Sequence, residues 1–175
     1  MLETINGKSS TPFFQTASGI SLPVPTGLLP TGQTTKYVDG DDGDYEKGYK
    51  PPGDHFIDNG DGTITDNATG LMWQQANDDT QRGWEAAVSY AEGLELAGHD
   101  DWRMPNIKEL SSLVDFGKAD PAIDEVYFTN IYSSSYWSST TVLSDITRAW
   151  IVNFISGYAS AALKGGSYYT LCVRG

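Results

Sequence analysis

A single cysteine, Cys172, occurs among 175 residues, which excludes an intramolecular disulfide and any CxxC or cysteine-rich metal site. It reads as a buried thiol in the final strand, where a free cysteine packs as a small apolar residue; a reactive thiol is the rarer alternative. Histidine is nearly as scarce. His55 and His99 have neither a paired metal-ligand spacing nor a nucleophile motif around them, and no GxSxG or glycine-rich phosphate loop occurs. These absences argue against an enzyme, leaving carboxylates brought together by the fold as the remaining catalytic route. No apolar run approaches the ~18 residues of a membrane span, and Met1 to Ile20 lacks the basic start and apolar core of a signal peptide. A soluble chain without direct membrane insertion is expected. Cations are also few: Lys+Arg 11 against Asp+Glu 23 gives a net charge of −12, a field that repels phosphate backbones and excludes nucleic acid as a partner.

One further absence points the other way. Although the chain is acidic, Ile146 to Gly175 contains no Asp or Glu. That stretch offers Tyr, Ser, Thr, Ala and Gly between a few large apolar anchors. Tyr supplies rigid amphipathic area at low entropy cost, and Ser and Gly supply adaptable hydrogen bonding, so the composition predicts contact with a partner rather than chemistry.

Residues 1–52 hold six of the eight prolines and the acidic run Asp39-Gly40-Asp41-Asp42-Gly43-Asp44. They read as an extended arm that wraps or tethers a domain spanning 53–175. From His55 the pattern tightens to a hairpin around Asn59-Gly60-Asp61-Gly62, with a second turn near Asn67 to Gly70. Trp84, Ala87, Val88, Ala91 and Leu94 recur at helical spacing and predict a first helix between Gly83 and Ala97, stopped at Gly98. Asn106 and Glu109 have the spacing of a capping box and open a second helix, carrying Leu110, Leu113 and Val114 on one stripe and ending at Gly117. Strand-like segments then run to the C-terminus. The order predicts an α+β fold with a mostly antiparallel sheet.

The motifs LPTGQTT, GDDGDYEKG, DNGDGTITDNATGLMWQ, AGHDDWRMPNIKELSSLVDF, PAID, YWSSTT, AWIVNF and CVRG occur in this order over residues 29–175. This set resembles the bacterial Lcl C-terminal domain family, named for a collagen-like adhesin. The resemblance implies a C-type-lectin-like fold in which N- and C-terminal strands pair, here around Leu71–Trp73 and Leu171–Val173, with the first helix packed between them and the second. It also implies an irregular ligand-binding face and a secreted or cell-surface setting. Many relatives carry cysteines, as if paired, at the positions of Ala91 and Cys172. The unpaired Cys172 suits equally a protein assembled in the cytosol, as in a phage tail.

Relatives tend to be rich in Asn between the positions of Phe154 and Cys172, where this chain reads ISGYASAALKGGSYYTL. Those residue types are reachable from Asn codons by adenine substitution, the pattern that diversity-generating retroelements leave in C-type-lectin-like target proteins; an ordinary half-exposed sheet rich in small residues is the alternative. The expected ligand face comprises Ile155, Ser156, Tyr158, Ser160, Ala162, Leu163, Ser167, Tyr168 and Tyr169, with Leu143, Ser144, Asp145, Ile146 and Thr147 on an adjacent loop. Its ligand would be a protein or glycan, and replacing Tyr158, Tyr168 and Tyr169 together is expected to leave stability nearly unchanged. A fixed-specificity adhesive or structural module is the competing reading. The sequence sets no limit on oligomeric state.

No cofactor is expected. Asp58, Asp61, Asp66 and the Asp39–Asp44 run are oxygen ligands of the kind Ca²⁺ takes, but their spacing matches turn chemistry better than a calcium loop. Trp73, Trp84, Trp102, Trp137 and Trp150 are expected to fill core rather than stack on sugars. Arg103 and Arg174 are expected to form structural ion pairs. The sulfated-polysaccharide binding that the resemblance implies needs clustered cations, and the expected face holds only Arg148, Lys164 and Arg174.

Overall fold

The computed structural model describes residues 13–15, 21–23 and 27–175; the rest of the expected arm, residues 1–12, 16–20 and 24–26, lies outside the described residues. A short antiparallel pair, β1 (Phe13–Gln15) and β2 (Ser21–Pro23), precedes a one-turn helix, α1 (Asp42–Tyr45). The acidic run is folded into that turn. Asp41 caps α1 and accepts the backbone N–H groups of Tyr37, Val38 and Asp44, while Lys36 pairs with Asp39 and Asp44.

Residues 29–32 lie against the rest of the chain. Phe116 N donates to Thr31 C=O at 2.7 Å. Gly32 sits at φ +87° so close to Asp115 that a Cβ there would overlap its carboxylate, an approach open only to glycine.

The first sheet has the order β3 (Phe56–Asp58), β4 (Thr63–Asp66), β5 (Met72–Gln74) and β9 (Val173–Arg174). The β3–β4 turn forms because Gly60 and Gly62 take positive φ and because carboxylates satisfy its backbone. Asp58 accepts from Gly60 N–H, and Asp61 from the N–H and hydroxyl of Thr63. Asp66 does the same for the next turn, accepting from Ala68 N–H, Thr69 N–H and the Thr69 hydroxyl. The expected pairing of N- and C-terminal strands is present, with Met72 opposite Arg174 and Trp73 opposite Val173.

The second sheet is β6 (Ser135–Thr141), β7 (Arg148–Asn153) and β8 (Tyr158–Leu163), antiparallel throughout, with β8 at an edge. Successive strand residues point to opposite faces, and both faces of its centre are buried. Tyr136, Val152 and Phe154 join a large cluster with Trp73, Leu110 and Leu171. Trp137, Ala149, Ile151 and Ala162 join a smaller one with Trp102, Cys172 and the Ala87 and Ala91 side chains of α2 (Trp84–Glu92). The helices therefore lie on opposite sides of this sheet, a correction to the expected stacking of the first helix between the terminal strands and the second helix. α2 and the segment leading into it are tied to β6 by two indole N–H groups, Trp84 to Ser138 C=O at 2.9 Å and Trp137 to Arg82 C=O at 2.8 Å.

Both helices are shorter than their periodicity predicts. α2 ends at Gly93. α3 (Ile107–Ser111) begins at the predicted capping box but stops after five residues, since Asp115 N–H bonds to Ala122 C=O and Phe116 N–H to the arm. Those long-range bonds take backbone donors that a continuing helix would use. Leu113 and Val114 are buried all the same.

Arg103 meets Glu109 through two hydrogen bonds of 2.8 and 2.9 Å, and Arg174 meets Asp101 through two more. Ala91 and Cys172 are both fully buried in the smaller cluster. Burial pushes the Cys172 thiol up to about 12, so it remains a neutral packing residue.

Candidate functional site

The Leu143–Thr147 loop closes the β6–β7 hairpin around Asp145. One carboxylate oxygen accepts from the Thr147 hydroxyl and N–H, the other from Arg148 Nε at 3.1 Å. These bonds, from the Thr147 hydroxyl first and then its N–H, hold the Asp145 carboxyl below its usual range. With the polar residue turned into the loop, the apolar ones turn outward: Leu143 is 95% and Ile146 72% exposed. The loop meets the end of β8, where Lys164 N–H donates to Thr147 C=O and Arg148 pairs with Leu163, itself 55% exposed. Lys164 Nζ reaches the Thr141 hydroxyl and lies 4.0 Å from the centre of the Trp84 ring.

Strand alternation divides the expected β8 residues. Tyr158, Ser160 and Ala162 point to one face, Leu163 to the other with Ala159 and Ala161. Ala162 is not a surface residue: it packs among Trp137, Ala149 and Ile151. Tyr158, at 54% exposure, Ser160 and Leu163 border a groove of about 600 Å³ along the strand edge, closed by Gly165, Gly166 and Tyr168. Ser167 is exposed in the turn that follows. Ile155 and Ser156 are exposed but sit in the β7–β8 turn, at the opposite end of a six-residue strand, about 20 Å from the Leu143–Thr147 loop.

Tyr168 and Tyr169 are half-buried. Tyr168 meets Trp137 edge-on, centroids 4.8 Å apart, and its backbone forms a bridge with Arg82. Tyr169 stacks on Tyr132 at 4.9 Å and lies 5.5 Å from Tyr136. Of the three tyrosines expected to be removable without loss of stability, Tyr168 and Tyr169 thus pack against other rings, and Tyr158 alone is exposed. Trp73, Trp102 and Trp137 are buried as expected, whereas Trp84 and Trp150 are half-buried.

A cluster absent from the sequence-based expectation adjoins Tyr169. Asp79, on the loop before α2, accepts hydrogen bonds from Tyr132 Oη at 2.9 Å and Asn130 Nδ2 at 2.6 Å. The carboxylate holds the Tyr132 phenol above its usual range. Its members come from loops more than fifty residues apart, and no local motif marks them; the only trace in the sequence is the Asn77-Asp78-Asp79 run before the first helix.

Asp41, Asp58, Asp61 and Asp66 are engaged in the turns described above, and among the described residues no group of three His, Cys, Asp or Glu is placed to hold a metal ion. No helix of the described residues is long and apolar enough to cross a membrane. A family model described as the Lcl C-terminal domain matches residues 62–174. No curated protein matches the chain.

Proposed function

The chain belongs to the Lcl C-terminal domain family, a family of binding or recognition domains, and from that premise we propose that it captures a partner protein noncovalently. Contact is made through the β6–β7 loop, the free edge of β8 and the turn after it. One observation carries this reading: Leu143, Ile146 and Leu163 are exposed together at one end of the second sheet, where no acidic residue follows Asp145 in a chain of net charge −12. Exposed apolar clusters of this kind mark interaction surfaces, and a surface whose one carboxylate, Asp145, is paired with Arg148 reduces the repulsion that the rest of the molecule imposes on acidic partners. Retroelement diversification of Tyr158, Ser160, Leu163, Ser167 and the loop belongs to the same proposal. The setting we propose is a cell surface or phage tail.

Two experiments test it. Labelled full chain is compared with the Leu143→Ser, Ile146→Ser, Leu163→Ser variant on arrays of bacterial surface proteins and of glycans. Protein targets retained by the wild type and lost by the variant are expected; retention by both refutes the surface assignment. Sequencing of the flanking locus is expected to find a near-copy of the 3′ coding segment differing at adenines and a reverse transcriptase, and their absence leaves a fixed-specificity domain. A second reading, self-assembly into a filament or adhesive layer, is favoured by β8 itself, which among the described residues pairs only with β7 and so offers an unpaired edge. Concentration-dependent association in sedimentation would select it.

A further inference from the structure

We propose that Asp79, Asn130 and Tyr132 form a subsite for a neutral hexopyranose, separate from the β8 edge surface. The inference rests on the recognition reading only for its biological sense; it stands if the edge surface proves inert.

Tyr169 backs one face of the Tyr132 ring, with planes inclined by 30°, and the Tyr132 side chain remains 39% exposed. Its open face is an electron-rich apolar plate, matched to the C–H-bearing face of a pyranose. At the rim of that plate the phenol and the Asn130 amide both donate to one oxygen, Asp79 Oδ1. Asp79 Oδ2 accepts from no described residue, and Asn130 keeps its Oδ1 and a second Nδ2 proton for an incoming group. Two acceptors and a donor side by side are what vicinal hydroxyls require, because each hydroxyl both donates and accepts. An anionic ligand would meet the Asp79 charge directly.

The groups are held in place before any ligand arrives. Buried Asn77 accepts from Asp79 N–H at 2.7 Å and donates to Asn130 C=O and to Tyr136 Oη. Tyr136 Oη also accepts from Tyr132 N–H at 2.9 Å, so one buried pair fixes both loops. Asp79 and Asn130 take φ of +62° and +55°, a region that Asp and Asn occupy more readily than other non-glycine residues. Such preorganisation removes part of the ordering cost of binding. A cleft of about 320 Å³, bordered by Glu125, Thr129, Asn130 and Tyr132 though not by Asp79, adjoins the ring.

The test is saturation-transfer NMR on the full chain, with the methyl glycosides of glucose, galactose and mannose offered singly and tetramethylammonium chloride as a cationic probe. At least one glycoside is expected to receive saturation at its ring C–H protons. Asp79→Asn keeps an acceptor for both internal bonds but replaces the free carboxylate oxygen, and is expected to weaken binding at least about tenfold, the loss of one charge-assisted hydrogen bond, at unchanged melting temperature. Tyr132→Ala is expected to abolish binding, and Tyr158→Ala, on the β8 edge, to leave it intact. No transfer to any glycoside, transfer to tetramethylammonium alone, undiminished binding by Asp79→Asn, or loss on Tyr158→Ala would each overturn the subsite.

Discussion

Replacing Tyr169 by Ala should destabilise the domain, whereas replacing Tyr158 should not, although both lie in the same tyrosine-rich, acid-free stretch. Tyr169 makes ring contacts at 4.9 Å with Tyr132 and 5.5 Å with Tyr136. Each aromatic pair contributes about 0.5–1.5 kcal/mol beyond area burial, and emptying a fully buried aromatic site costs about 3–5 kcal/mol. For a half-buried ring a loss of about 2–3 kcal/mol follows, or about 4–12 °C in melting temperature at this chain length. Tyr158 is 54% exposed and has no aromatic neighbour among the described residues, so its removal should stay within about 0.5 kcal/mol. Urea unfolding followed by circular dichroism gives both values from one pair of variants. Equal losses, or a larger loss for Tyr158→Ala, would refute the placement of these rings and with it the separation of core from contact surface.

Acid should destabilise the domain in part through Asp66. Burial raises the carboxyl, but His55, whose Nε2 lies 3.2 Å from Oδ1, and hydrogen bonds from the Thr69 hydroxyl and Ala68 N–H outweigh it and hold Asp66 below the ordinary 3.8. A depressed carboxylate stabilises the fold above its unfolded value, and that stability is lost as pH falls through the folded one. Urea midpoints should therefore drop from about pH 4 downward, less steeply for Asp66→Asn, and parallel curves would count against the linkage. Gly32→Ala, whose Cβ would overlap the Asp115 carboxylate, should loosen residues 27–35; limited trypsin digestion should then cut faster after Lys36, and an unchanged rate would show that the close approach carries no constraint. Heparin chromatography should show no retention at physiological salt. Arg148 and Arg174 are bound to Asp145 and Asp101 and Lys164 lies over Trp84, so salt-sensitive retention would contradict this account.

Local chemistry was the legible part of the sequence. The Asn106–Glu109 capping box, the Gly60 and Gly62 turn and the ion pairs of Arg103 and Arg174 depend on residues near in sequence or on charges needing a partner. The pairing of Trp73 with Val173 followed from the family resemblance, which covers motifs at both ends. Helix lengths were misjudged because periodicity reports a buried face and not the backbone bonds that end a helix: Leu113 and Val114 are buried without being helical. The contact residues were identified by residue type, which reports neither strand face nor depth: Ala162 shares the face of Tyr158 and Ser160 but alone lies buried among Trp137, Ala149 and Ile151, while Leu163 points the other way. The Asp79–Asn130–Tyr132 cluster was invisible for a different reason, since it exists only once two distant loops have met.

Strand β8 is joined to the fold almost wholly by its backbone. Of its six side chains only Ala162 is buried, while the ladder to β7 holds all six residues in register. The other five positions can thus drift, or be randomised in the laboratory, with little thermodynamic penalty, and each new sequence is displayed on the same rigid rail. Foldability and specificity are assigned here to different atoms of one strand, which makes β8, with Ala162 held constant, a natural insertion point for a recognition library.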